Sequence, residues 1–214
     1  MGGAVEKLVQ VAGDPIGCPA NPDFGLALQK FGDIGRQLGQ LLKSKNGFFC
    51  FESALRVFPD TTSSSSWGLE EWNSEENWKY SYSGLASDLF CFAEDIFGNQ
   101  FCISNNEIVI FNAETADIEV FAVSMENFAR RILIDHDFVT GHSVASDWQA
   151  VHGTLKGRER LFPRTFFIFG GEYALQNVVK LDSIRAMVSY GNIARQIHGL
   201  ADGLNVKLVI TPKP

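Results

Sequence analysis

Residues Leu89 to Asn112, LFCFAEDIFGNQFCISNNEIVIFN, constrain the fold more than any other part of the chain. Short apolar runs alternate there with turn-forming residues. A turn centred on Asp95-Ile96-Phe97-Gly98 sets Phe90 opposite Ile103, Cys91 opposite Cys102 and Phe92 opposite Phe101. A second turn at Asn105-Asn106 sets Ile103 opposite Ile108, Cys102 opposite Val109 and Phe101 opposite Ile110. Side chains alternate between the faces of a strand. Phe90, Phe92, Phe101, Ile103, Ile108 and Ile110 therefore share one face, and Cys91, Cys102, Val109 and Phe111 the other. Both faces are apolar, so the expected fold is α+β, with a central antiparallel β-meander sheet packed with helices on both sides. This register also predicts that Cys91 and Cys102 are neighbouring reduced thiols.

The flanks supply the helices. Phe24, Leu28, Phe31, Gly35, Leu38 and Leu42 recur at three- and four-residue steps, which predicts one helix with Asp23 as its N-cap and Asn46-Gly47 as its stop. Phe48 to Phe58 is apolar and ended by Pro59. Ile118 to Val123 reads as a fourth strand of the meander. Ser124 caps a helix whose apolar stripe is Met125, Phe128, Ala129 and Ile132. Asp135 to Trp148 is mixed or helical, Gly153 to Arg164 a polar loop, and Ala174 to Leu181 extended. Asp182 caps a helix reaching about His198. After an Asp202-Gly203 turn, Leu204, Val206, Leu208 and Ile210 alternate as a final edge strand. The chain of 214 residues suits a single domain spanning 1–214, in which 137–214 can be a C-terminal extension or subdomain.

Charge is distributed unevenly. Between Asp60 and Asp95 there are eight acids against one base, Lys79, and this segment accounts for the whole net charge of −7. A broad basic surface for nucleic acid is excluded, and a basic partner is favoured. The same segment carries Trp67, Trp72, Trp78, Tyr80 and Tyr82, interleaved with Glu70, Glu71, Glu75 and Glu76 and following a TTSSSS loop. Two readings are open. The aromatic residues pack a partly ordered lid onto the core, because tryptophan is well buried on average. Alternatively they form a recognition surface, because tryptophan and tyrosine dominate interface hot spots.

No apolar run nears the roughly 20 residues that span a bilayer. The N-terminus lacks a positive region before an apolar core, so the cytoplasm is the expected compartment. Cys18, Cys50, Cys91 and Cys102 form no C-x-x-C pair, and neither they nor His136, His142, His152 and His198 show metal-ligand spacing. Neither metal nor cofactor is expected. Glu94 and Asp95 are adjacent in an extended run and point to opposite faces, which makes them a poor acid–base pair. Asp95 better suits a cap for its turn, with Gly98 supplying the unusual backbone. No phosphate-binding loop, nucleophile elbow or dinucleotide fingerprint occurs, and no catalytic residue is assigned.

The run Phe92-Ala93-Glu94-Asp95-Ile96-Phe97-Gly98-Asn99-Gln100-Phe101, followed by a turn, Ile108-Val109-Ile110-Phe111-Asn112 and a Ser124-capped helix, resembles the SUKH superfamily. That group joins the bacterial Syd protein, the yeast Smi/Knr cell-wall regulators and many bacterial immunity proteins. The resemblance covers roughly Phe48 to Leu133. It implies an α+β fold and a non-enzymatic, protein-binding role, in bacterial relatives the neutralisation of a toxin, often a nuclease, by direct contact. The partner it implies is a basic toxin domain, with no direct contact to nucleic acid or membrane. A regulatory or scaffold role of the Smi/Knr type is the alternative, and an enzyme with a site in 137–214 a further one. The residues expected to meet the partner are Trp67, Glu70, Glu71, Trp72, Glu75, Glu76, Trp78, Tyr80, Tyr82, Glu94 and Asp95.

Overall fold

A computed structural model describes residues 2–201, 203–204 and 206–209. Its centre is a six-stranded antiparallel meander in sequence order. The strands are β1 (Phe48–Cys50), β2 (Leu55–Val57), β3 (Phe90–Glu94), β4 (Gln100–Ser104), β5 (Glu107–Phe111) and β6 (Ile118–Ala122). The expected register of β4 on β5 is the one observed, with Ile103 opposite Ile108, Cys102 opposite Val109 and Phe101 opposite Ile110. Asn105 and Asn106 both take positive φ in the turn between them, the conformation that a two-residue hairpin loop requires.

The pairing of β3 with β4 departs from expectation at one point. Phe90 faces Ile103 and Cys91 faces Cys102, but the residue opposite Phe101 is Ala93 rather than Phe92. Phe92 is the extra residue of a β-bulge. A bulge reverses the alternation beyond it. It brings Glu94 onto the face of Cys91, Cys102 and Gln100, opposite Arg56 on β2.

Helices cover both faces. In α1 (Ala4–Val11) the first turn is held by Glu126, which accepts from Ala4 N at 2.5 Å. The single helix expected from Phe24 is interrupted. It comprises α2 (Pro22–Ala27), a 3-10 turn at Leu28–Phe31 and α3 (Gly32–Ser44). Gly32 sits at φ 70°, which an uninterrupted α-helix cannot contain. The cap of α2 is Asn21, whose side chain accepts from Asp23 N at 3.0 Å; Asp23 lies inside the first turn. After the short α4 (Leu69–Trp72) and β6 comes α5 (Met125–Ile134), capped as expected by Ser124 through Asn127 N at 3.1 Å. Phe128 of α5 packs edge-on to both Phe92 and Phe101.

The C-terminal half adds α6 (His136–Thr140), α7 (His142–His152) and a separate two-stranded sheet of β7 (Glu159–Pro163) and β8 (Val178–Asp182). β7 corrects the expectation of a polar loop over Gly153 to Arg164. Within that strand Arg160 and Leu161, on opposite faces, are both buried. A second apolar cluster forms where Ile96 and Phe97 of the β3–β4 turn meet Ala145, Trp148, Leu161 and Val178. Finally, α8 (Ser183–Ile197) begins at Asp182, which accepts from Arg185 N at 3.1 Å, and buries Met187, Tyr190 and Ala194 against the main sheet. The expected final strand is not formed over 206–209, and Asp202, Asn205 and Ile210 lie outside the described residues.

The two edges of the main sheet differ. Along β1 the N-terminal segment supplies a backbone cover: Gly13 N donates to Phe49 O at 2.9 Å, Ile16 N to Gly47 O at 2.9 Å and Gly17 N to Asn46 O at 2.8 Å. β6 ends the sheet at the other side, where Ile118, Glu119 and Val120 are exposed.

Candidate functional site

The aromatic, acidic segment separates into a buried half and an exposed half. Trp72, Trp78 and Tyr82 are fully buried. They form a chain of ring contacts, 5.7 Å from Trp72 to Trp78 and 5.5 Å from Trp78 to Tyr82. Their polar atoms are internally paired: Trp72 Nε1 donates to Gln100 Oε1, Trp78 Nε1 to Trp72 O and Tyr82 Oη to Ala113 O, each at 2.8 Å. These three residues belong to the core and are not surface anchors, which corrects the recognition-surface reading. Trp67 is half-buried beneath the guanidinium of Arg158, 3.8 Å from its ring centroid. Tyr80, Glu70, Glu71, Glu75 and Glu76 remain exposed.

Three of the eight acids between Asp60 and Asp95 are buried: Asp60, Glu94 and Asp95. Lys79, the segment's base, is buried as well and donates to Leu89 O at 2.6 Å. Glu94 is the centre of a buried ionic cluster. Its Oε1 meets Arg56 Nη2 at 2.5 Å and also pairs with Arg160 Nε, while Oε2 accepts from Gln100 Nε2 at 3.1 Å. Arg56 further donates to Gly157 O at 2.5 Å and Ser183 Oγ at 3.3 Å. Burial and the neighbouring Arg160 push Arg56 down to about 9, against the pull of Glu94, so the guanidinium stays charged at neutral pH. With 0% exposure Glu94 cannot meet a partner. It joins the two sheets instead.

Asp95 performs the capping role expected of it. Its Oδ1 accepts from Phe97 N at 2.8 Å and Asn99 N at 2.9 Å, and its Oδ2 from Asn99 Nδ2 at 2.7 Å. Burial pushes its carboxyl up to about 7, and these hydrogen bonds oppose the shift. Asp95 also lines a cleft of about 760 Å³. The floor is the sheet face at Ile110, Glu119 and Phe121, and the walls come from the end of α5, from α6 and from the start of α7.

The cleft is acidic and carries bare apolar groups. Glu119, Asp135 and Asp137 are exposed on it together with Ile134 and Phe138, which are 77% and 88% exposed. The cation in its lining, Arg131, is engaged by Phe121: it donates to the carbonyl at 2.5 Å and lies 4.3 Å from the ring centroid. Ser143 N donates to Asp137 at 2.6 Å and holds that carboxyl below its ordinary value. No sequence pattern marked this cleft, because its residues come singly or in small groups from the β3–β4 turn, β5, β6, α5, α6, α7 and the loop at Tyr173. The available hint was Phe138, an aromatic residue between Asp137 and Thr140 with no apolar neighbour at helical spacing other than Ile134.

His136 and His142 are engaged by neighbouring side chains. Their rings lie near each other and against Phe51, and His142 Nε2 pairs with Glu52. Among the described residues no group of three potential metal ligands occurs, and no helix is long and apolar enough to cross a membrane.

The fold and cleft define the class: an α+β protein built on a six-stranded antiparallel meander. The crystal structure of Atu4351 from Agrobacterium tumefaciens is similar, with a TM-score of 0.55 and 13% identity over 87% of this chain and 87% of that chain. At this identity the likeness is one of fold. No family model and no curated protein matches the sequence.

Proposed function

We propose that this chain is a non-enzymatic protein-binding module, and specifically a cytoplasmic immunity protein of SUKH type that neutralises a basic toxin domain by direct contact. The observation that carries the reading is the cleft, where Phe138 and Ile134 stand exposed among Glu119, Asp135 and Asp137. Exposed apolar side chains ringed by like charge suit a partner that offers apolar surface within a basic rim. The exposed Glu70, Glu71, Glu75 and Glu76 add a further negative field that accelerates encounter with such a partner.

The test is binding to the product of the neighbouring gene, followed by surface plasmon resonance. Phe138→Ala with Ile134→Ala is expected to raise the dissociation rate about tenfold or more, as loss of a hot spot does. Glu70, Glu71, Glu75 and Glu76 changed together to Gln are expected to slow association at low salt and leave dissociation nearly unchanged. Equal rates for both variants and the wild type would sink the proposal. A regulatory or scaffold module uses the same surface on a cellular partner, and a toxin gene beside this one decides against it.

One observation favours an enzyme instead: a carboxyl that burial pushes up to about 7, on the wall of the cleft. All three of its hydrogen-bond donors come from its own turn, which ties the group to structure. Turnover of any compound that is abolished by Asp95→Asn in a folded variant would establish the enzymatic reading.

A further inference from the structure

Beside the cleft, and sharing Phe97, Asn99 and Tyr173 with it, lies a smaller pocket of about 250 Å³. It is bounded by the β3–β4 turn, the residues after β5, the segment Phe167–Tyr173 and Tyr190 of α8. Three features of its walls are chemically unusual together.

The first is an aromatic group. Phe167 and Tyr173 stack with centroids 3.8 Å apart and planes 9° apart, and Phe97 meets both edge-on at 5.1 and 5.3 Å. The second is a carboxylate without a cation. Glu114 accepts from Phe167 N at 3.1 Å and Ile168 N at 2.8 Å. Those bonds use two of roughly four acceptor positions. Among the described residues no basic side chain lies within ion-pair distance of Glu114 or of Asp95. Burial pushes both carboxyls up, as expected of charge that lacks a counterion. The third is the Tyr190 hydroxyl. Tyr190 is 1% exposed, and its Oη has no hydrogen-bond partner among the described residues. Tyr190 lines the pocket together with Glu114.

A buried hydroxyl without a partner and a buried carboxylate without a cation are each costly, so both mark a place where an external group completes the structure. That group is a cation, because the carboxylate is uncompensated. It is planar, because ring walls reward stacking. It donates several hydrogen bonds, because Glu114 and Tyr190 Oη both accept. A guanidinium meets all three conditions, whereas an ammonium lacks the plane and the fork. The volume accommodates a guanidinium with its alkyl stem and excludes a folded segment.

We infer that this pocket receives an arginine side chain presented by the basic protein partner. The inference rests on the protein-binding reading above and adds to it the specific residue type that the partner inserts.

Aromatic carbon–proton NMR spectra of the full chain test it with blocked arginine, blocked citrulline of the same shape without charge, and free arginine. Blocked arginine is expected to produce saturable shifts at Tyr190, Tyr173 and Phe167, and citrulline none at equal concentration. Tyr190→Phe, which keeps the ring, is expected to weaken the arginine probe by about tenfold, the loss of one hydrogen bond to a charged group. Equal shifts from arginine and citrulline, or none from either, overturn the inference. Free arginine binding more tightly than the blocked form overturns the partner as the source and makes the pocket a site for the free amino acid. Against the protein partner, Tyr190→Phe and Glu114→Gln are expected to raise the dissociation rate about tenfold. If they leave it unchanged while the Phe138 and Ile134 variant weakens binding, the pocket inference falls and the binding reading stands. If arginine fills the pocket and no protein partner is captured, the binding reading falls, and the arginine-presenting partner with it.

Discussion

Arg160, on the two-stranded sheet, pairs through Nε with Oε1 of Glu94, on the six-stranded sheet, and the two side chains are 1% and 0% exposed. Arg56 reaches the same oxygen from the adjacent strand. One buried carboxylate therefore faces two buried guanidinium groups. Glu94→Gln keeps the shape and removes the charge, leaving two buried cations beside each other. It is expected to cost about 3–5 kcal/mol in urea unfolding. Replacing Arg56, Glu94 and Arg160 together by apolar residues of similar volume is expected to cost much less, because no buried charge is left unpaired. A larger loss in the triple variant would contradict this account.

The four thiols divide by burial. Cys18 is exposed, whereas Cys50, Cys91 and Cys102 are buried. Burial pushes Cys50 up to about 12 and Cys102 well above its ordinary value, so neither offers a thiolate at neutral pH. Labelling with an aromatic disulfide at pH 8 is expected to show one fast thiol, lost in Cys18→Ser, and three that react at the rate of unfolding. Cys91 and Cys102, with sulfurs 2.8 Å apart, are expected to become reactive together.

Asp95 makes stability fall as pH rises. Its folded pKa of about 7 lies above its ordinary 3.8. Between those values the folded state binds more protons than the unfolded state, so stability decreases with increasing pH across that window. The contribution is fully present below about pH 4 and lost above about pH 7. Glu114, also raised, acts in the same direction. Asp95→Asn is expected to flatten the slope of unfolding free energy between pH 4 and 7; an unchanged slope would show that the carboxyl is ionised throughout.

The turn from β1 to β2 holds Phe51, Glu52 and Ser53 at φ 53°, 46° and 68°. Left-handed backbone costs a residue with a Cβ about 1–2 kcal/mol, and glycine gives back part of the relief through the entropy of its unfolded state. Ser53→Gly is expected to raise stability by about 0.5–1 kcal/mol, read as a higher urea midpoint at constant slope. Ser53→Val is expected to lower it.

Periodicity revealed the meander because both faces of β4 and β5 are apolar and their turns are short. The Asn105-Asn106 turn fixes a register that no other pairing satisfies. The bulge at Phe92 had no such marker, since Phe92 and Ala93 are equally acceptable opposite Phe101. That single insertion sends Glu94 toward Arg56 and Arg160, and without it the acidic dipeptide reads as surface charge. Trp72 and Trp78 misled for a related reason. Glutamates surround them in sequence, but Leu69 and Trp72 share one side of a helical turn while Glu70 and Glu71 take the other. The cleft was illegible because Asp95, Glu119 and Phe138 meet only after the whole sheet and α6 are in place.

The unequal edges of the main sheet have a consequence for assembly. Head-to-tail stacking of copies needs one β6 and one β1 edge per contact, and the segment Gly13–Gly17 already occupies β1. Pairing of β6 with β6 about a two-fold axis consumes the open edge of both copies and closes. Edge-to-edge growth through the main sheet therefore terminates at two, so β6 can stay exposed without making that sheet a route to fibres.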